Sequence, residues 1–193
     1  EIYFNNIKIY SVNEKRYLLG EHNLSNILFV IRISILLGLD LNKAINTINN
    51  FKPLEHRLEL VKTINKVTYY NDAISTIPQT TISAVKTLKK VDTLIFGGMD
   101  RGINYNELIE FLNNSKIRNF ICMPTTGYNI GKKLKKGNIY YIEDLKDAVA
   151  LAKKITKKGK ICLLSPAASS YEYFKNFEEK GTKYKEYVLE ENN

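Results

Sequence analysis

Five short stretches of this sequence hold residue types that can do more than fold. Asn23 and Asn26 stand three positions apart, on one face of any helix there, where two carboxamides can meet the donor and acceptor edge of a purine. The same residues also suit a helix cap. His56-Arg57 follows Pro53, and a guanidinium at a domain boundary can fork onto the oxygens of a triphosphate, although a solvated His-Arg pair has the same spelling. Asn71-Asp72, followed by the hydroxyls of Ser75 and Thr76 and by Pro78, makes a loop that fits a ligand and an Asx-type turn equally well. In Gly97-Gly98-Met99-Asp100-Arg101-Gly102 the glycines let backbone come close to a ligand while Arg101 offers its fork to a carboxylate or phosphate; a tight turn is the plainer alternative. Ser165-Pro166-Ala167-Ala168-Ser169-Ser170-Tyr171 is expected to run into a helix whose first N–H groups can hold a carboxylate, or else to be a capped strand-to-helix turn.

One tempting motif fails. Gly127 and Gly131, followed by Lys132-Lys133, have three residues between the glycines where a phosphate loop needs four, and no Ser or Thr follows to meet magnesium. The segment is expected to be a loop entering a basic helix.

The elements that must position these residues follow from the hydrophobic rhythm. Ile2-Tyr3-Phe4 and Ile7-Lys8-Ile9-Tyr10 alternate as strands, and Leu24, Ile27, Leu28, Ile31 and Ile35 recur at helical spacing with Gly38 as a stop. A second helix is expected over Leu41 to Asn49. From about residue 58 the pattern becomes strand, helix, strand, with apolar strands at Val67 to Tyr70, Leu94 to Phe96, Asn119 to Met123, Ile139 to Ile142 and Ile161 to Leu164. Pro78 suits the first turn of a helix reaching Leu88, Asn104 is a candidate cap for a helix through Leu112, and Asp144 for one carrying Leu145, Val149 and Ala152. The fold class implied is α/β, a Rossmann-like, mostly parallel sheet with helices on both faces, in which ligands bind beyond the carboxyl ends of the strands. Asn71-Asp72, Gly97-Gly98 and Ser165-Pro166 all fall at such ends.

Composition narrows the function classes. The net charge of +9 invites nucleic acid, but the lysines are scattered through helices and turns and no basic run is interleaved with stacking aromatics, so no nucleic-acid partner is expected. No apolar run approaches the roughly 20 residues of a membrane span, and the start Glu1-Ile2-Tyr3-Phe4 is not a signal peptide. A cytoplasmic protein without a membrane partner is expected. Cys122 and Cys162, each in an apolar run, are expected to be small core residues rather than disulfide or metal ligands.

Taken in order, Gly20-Glu21-His22-Asn23-Leu24-Ser25-Asn26, Leu54-Glu55-His56-Arg57-Leu58-Glu59, Asn71-Asp72-Ala73-Ile74-Ser75-Thr76, Gly97 through Gly102, and Ser165 through Ser170 with Phe174-Lys175-Asn176-Phe177-Glu178-Glu179-Lys180-Gly181 resemble the glutamate-adding Mur ligases. The resemblance covers nearly the whole chain, and its last segment is the most specific. It implies that residues 1–57 are the end of a central ATPase domain and residues 58–193 a C-terminal, glutamate-binding domain. It also implies ATP and Mg2+ as cofactors of the full-length enzyme, with UDP-N-acetylmuramoyl-L-alanine and glutamate as substrates in peptidoglycan synthesis; the sequence does not fix the oligomeric state, and a monomer is expected. Carried over residue by residue, Asn23 and Asn26 lie against adenine, and His56, Arg57 and Asp72 face the nucleotide. Arg101, Ser170 and Phe177 contact glutamate, Phe177 through its backbone. The resemblance assigns none of these a catalytic role and no metal ligand.

Two departures bear on activity. Ile74 stands where the family carries a lysine that helps hold glutamate, which opens D- against L-glutamate; losing one charge-assisted hydrogen bond costs about 1.5–3 kcal/mol. These residues also contain no phosphate loop and no magnesium ligands, so the chain is expected to be inactive alone. The rival readings are a non-enzymatic nucleotide- or glutamate-binding module and a sister ligase, L-glutamate-specific or of the folylpolyglutamate type.

Overall fold

The computed structural model describes residues 1–20 and 22–190; Glu21, part of the first family-like segment, lies outside the described residues. The chain divides into two compact units, Glu1–Pro53 and Leu54–Asn193.

In the first unit, β1 (Ile2–Phe4) and β2 (Ile7–Tyr10) pair antiparallel. Asn5 and Asn6 both take positive φ, 48° and 64°, as a two-residue hairpin turn requires and as Asn tolerates better than most side chains. Helices α1 (His22–Leu36) and α2 (Leu41–Asn50) follow. Gly38, at φ +64°, marks the stop expected from the sequence, and Asp40 caps α2 by accepting from the Asn42 and Lys43 amides. Tyr10, Ile27, Ile31 and Ile48 form this unit's buried core.

The second unit is built on a six-stranded sheet: β3 (Glu59–Ile64), β4 (Val67–Asn71), β5 (Val91–Phe96), β6 (Asn119–Cys122), β7 (Asn138–Tyr141) and β8 (Ile161–Leu164), in the order β3-β4-β8-β5-β6-β7. All pairings are parallel except β3 with β4. Side chains alternate across the strands: Leu94 and Phe96 pack with Phe120, Cys122 and Leu163 on one side, and Ile95 with Ile121, Tyr69 and Leu164 on the other. Helices α3 (Pro78–Leu88), α4 (Asn106–Asn114) and α5 (Thr126–Gly131) supply the first layer, and α6 (Leu145–Ile155) and α7 (Phe177–Leu189) the second. The sheet is therefore the α/β, mostly parallel, doubly covered one expected from the sequence.

Several details differ from expectation. The edge strand β3 was not foreseen, because Glu59-Leu60-Val61-Lys62-Thr63-Ile64 is polar and half exposed, as edge strands are. Asp144 caps α6 as expected, accepting from the Lys146 and Asp147 amides. Asn104 is one position early: α4 has Tyr105 at its cap, and Asn104 Oδ1 accepts from the Asn106 amide at 2.9 Å. Gly127 and Gly131 lie inside α5, buried, so the segment is the helix itself rather than a loop leading to one. Ser165 to Ser170 does not run into a helix; α7 starts only at Phe177, and its first turn already carries Glu178 and Glu179. Both cysteines are free and buried, and burial pushes each thiol up to about 12, so both are inert packing groups.

Candidate functional site at the carboxyl ends of the sheet

Parallel strands end on one side, so the loops after β4, β5, β6 and β8 converge on a single rim. At its centre is Asp72, 2% exposed. Its Oδ1 accepts from the Leu58 amide at 3.1 Å and its Oδ2 from the Ser165 hydroxyl at 2.7 Å. Ser165 Oγ is also 2.9 Å from Thr81 Oγ1; with one proton per hydroxyl, donation runs from Thr81 to Ser165 to the carboxylate. Burial pushes the Asp72 carboxyl up from the ordinary 3.8 to about 6, against the opposing pull of hydrogen bonds from Ser75, Ser165 and Leu58 and of the nearby Arg57 guanidinium.

His56 is also buried. The Asn71 amide nitrogen lies 2.9 Å from its Nδ1 and 3.3 Å from the Gly181 carbonyl, and donation to Nδ1 leaves the ring proton on Nε2. The ring meets Phe177 edge-on, centroids 6.2 Å apart. Arg57, next to it, is exposed. His56 and Leu58 on either side of that arginine take positive φ, 63° and 45°, and so does Ala167 at 57° in the loop after β8. Non-glycine residues held there cost on the order of 1–3 kcal/mol each, and such strain clusters at ligand-binding loops.

Gly97 and Gly98 lie at φ +122° and +155°. A Cβ on either would collide with backbone, of Met123 and of Ser169 respectively, so only glycine fits this closely packed turn. Gly98 O accepts from the Thr125 and Thr126 amides and from Thr126 Oγ1, while the Met99 amide donates to Ser169 O at 2.9 Å. Arg101, two residues on, is exposed, and Asp100 Oδ1 accepts from the Gly102 amide. Ser170 is 4% exposed, and its hydroxyl has no hydrogen-bond partner among the described residues. An orphaned buried hydroxyl is uncommon and calls for a partner that the folded chain alone does not supply.

Thus His56, Arg57 and Asp72, with Arg101, Ser170 and Phe177, belong to the second unit and its strand-end loops. Asn23 and Asn26 belong to the first unit. There Asn26 Nδ2 donates to Asn23 Oδ1 at 3.1 Å, and Asn23 Nδ2 to Leu19 O at 2.6 Å, so the two carboxamides do form a linked pair on one helix face. Glu55, His56 and Glu59 gather three potential metal-ligand atoms. Lys185 already pairs with both carboxylates, which makes the group an ion-pair cluster rather than an open metal site.

Sequence reasoning gave Lys180 no role. It is 2% exposed, with Nζ donating to Gly97 O at 2.9 Å and lying 5.8 Å from the centre of the Phe174 ring. The signal was available: Lys180, Tyr184 and Val188 recur at the spacing of the buried face of α7.

Residues 56–168 match the family model described as Mur ligase, glutamate ligase domain. The chain belongs to the Mur ligase family. The UDP-N-acetylmuramoylalanine–D-glutamate ligase of Caldanaerobacter subterraneus subsp. tengcongensis is 36% identical over 98% of this chain, and that of Oenococcus oeni 37% over 97%. This Mur ligase chain spans 43% of the length of each of those relatives. Its fold is also that of the Thermotoga maritima UDP-N-acetylmuramate-alanine ligase, with a TM-score of 0.64 at 17% identity over 88% of this chain and 38% of that one. The Mycobacterium tuberculosis folylpolyglutamate synthase complexed with ADP gives 0.61 at 14%, over 91% and 42%. No helix among the described residues is long and apolar enough to cross a membrane.

Proposed function

We propose that this chain is the C-terminal part of an ATP-dependent ligase that adds glutamate, D-glutamate in the first instance, to UDP-N-acetylmuramoyl-L-alanine in peptidoglycan synthesis. The boundary expected after residue 57 falls near the end of the first compact unit, Glu1–Pro53, so that the first unit belongs to its central ATPase domain and the second binds glutamate; the protein acts in the cytoplasm as a monomer. The observation that carries this reading is the strand-end rim of the second unit, where an orphaned buried Ser170 hydroxyl, exposed Arg57 and Arg101 and buried Asp72 sit on one run of loops. Relatives similar over almost the whole chain are D-glutamate ligases.

The chemistry suits such a rim. A carboxylate is a poor electrophile, and ATP with magnesium supplies its activation as an acyl phosphate. The residues here have the remaining tasks of holding glutamate and placing its amine, the larger part of such catalysis. Arg101 gives a fork for a carboxylate, Ser170 an O–H, and Phe177 the backbone N–H of a helix start, which lacks an acceptor inside the helix. Arg57 and His56 stand toward the nucleotide, with Asp72 fixing the backbone of Leu58 beside them. Asn23 and Asn26 hold adenine. Magnesium is not assigned to any residue of this chain.

A second reading, specificity for L-glutamate, rests on Ile74, which puts no charge where the family carries lysine. The test is a ligase assay with UDP-N-acetylmuramoyl-L-alanine, ATP–magnesium and either D- or L-glutamate, run on the protein at the length its own gene specifies and on these 193 residues alone. Amide formation with D-glutamate by the former and no turnover by the latter is expected. Exclusive use of L-glutamate would replace the first reading by the second, and turnover by these residues alone would sink both.

A further inference from the structure

A lysine buried inside a helix-to-sheet interface needs a reason, because a desolvated ammonium without a carboxylate partner costs stability. Lys180 makes no ion pair among the described residues, and burial pushes its ammonium down to about 7. Its hydrogen-bond acceptor among the described residues, Gly97 O, belongs to the turn to which two other loops are fastened. The Gly97 amide donates to Pro166 O and the Met99 amide to Ser169 O, both in the loop after β8; Gly98 O takes the Thr125 and Thr126 amides of the segment after β6. The next residue of α7, Gly181, presses on the loop before β3 and the end of β4: a Cβ there would strike His56 and crowd Asn71, and its carbonyl accepts from Asn71. One step of α7 therefore touches both halves of the rim.

We propose that Lys180 is a positioning residue for the amino-acid substrate. Its ammonium holds the Gly97–Gly98 turn and thereby sets the places of Arg101 and Ser170, while Gly181 ties the same helix to His56. The contact is geometric, a buried Nζ 2.9 Å from Gly97 O; below about pH 7 it is an ammonium that holds the carbonyl more tightly than a neutral donor, and above that the neutral amine still donates an N–H. The inference rests on the glutamate-binding reading above for its consequence, but not for the coupling of the loops.

The test uses the protein at its natural length with Lys180→Met, which removes a buried charge and keeps the volume, and Lys180→Arg, which restores a charged donor. In the Met variant the Met99, Thr125 and Thr126 amides should exchange with solvent about tenfold faster or more. The Arg118 and Asn138 amides, bonded at the opposite end of the sheet, should stay unchanged. The KM for glutamate should rise about tenfold or more while kcat and the KM for ATP stay within about threefold, and the Arg variant should recover both. Unchanged exchange at the three amides, exchange rising equally at the control amides, or an unchanged KM for glutamate would each overturn the proposal. If the Met variant does not fold, Lys180→Gln, a neutral donor of shorter reach, is read by the same measurements. A wild-type protein that ligates no glutamate would refute the function reading instead, and the exchange arm would still decide whether Lys180 fastens the turn.

Discussion

Asp72 is where burial and hydrogen bonding oppose each other most directly. Its carboxyl takes a proton at about 6 in the folded chain against 3.8 ordinarily, so between these values the folded state holds a proton that the unfolded state has lost. Stability then falls as pH rises from about 4 to about 6, by up to about 3 kcal/mol, and is flat above. Denaturant unfolding at pH 4, 5, 6 and 7 should show this slope, and Asp72→Asn should remove most of it; a wild-type slope that survives in the Asn variant would assign the effect elsewhere. The carboxyl carbon resonance of Asp72 should titrate near 6 in the same range. The sequence made Asp72 visible as a strand-end acid. It did not show that two donors from distant segments would join Ser75 around it, because Leu58 and Ser165 meet it only through the strand order.

The helix α7 shows what can be read at the scale of an element and what cannot. Alternating apolar strands and the Pro78 and Asp144 helix starts were legible because local pattern decides them. The edge strand β3 was not, since a polar strand paired on one side contradicts its local pattern until the tertiary structure is present; the buried face of α7 could be read from the spacing of Lys180, Tyr184 and Val188, but not that a lysine would be buried on it. Gly181 has the same character. In a helix interior, alanine for glycine normally gains up to about 1 kcal/mol. Here the added Cβ would overlap the His56 ring and approach Asn71, so Gly181→Ala is expected to destabilise by about 1–3 kcal/mol, the usual cost of overpacking. Thermal melts with His56 ring resonances as a local probe check this: a lower melting temperature together with a shifted ring signal is expected, and a gain in stability would mean that α7 moves freely against β4.

At the scale of the whole molecule the two units differ in how much each buries. The second has an apolar core on both faces of its sheet. The first buries Tyr10, Ile27, Ile31 and Ile48 and leaves Phe29, Ile33, Leu36 and Leu37 at 68%, 53%, 67% and 68% exposure. Those positions form a stripe along and just past the end of α1. Units this small with so few buried side chains are marginal by themselves, and an exposed apolar stripe marks a surface that packs on something. On the proposal above that these residues end a central domain, the stripe packs on the remainder of that domain. Dilute protease acting on these 193 residues should therefore cut first within residues 1–53 and leave a resistant product starting near Leu54. The natural-length protein should lose that early cleavage. Equal resistance of both units in these residues alone would mean that the first unit is stable without the upstream part, and residues 1–53 would then be a module of their own rather than the end of a larger domain.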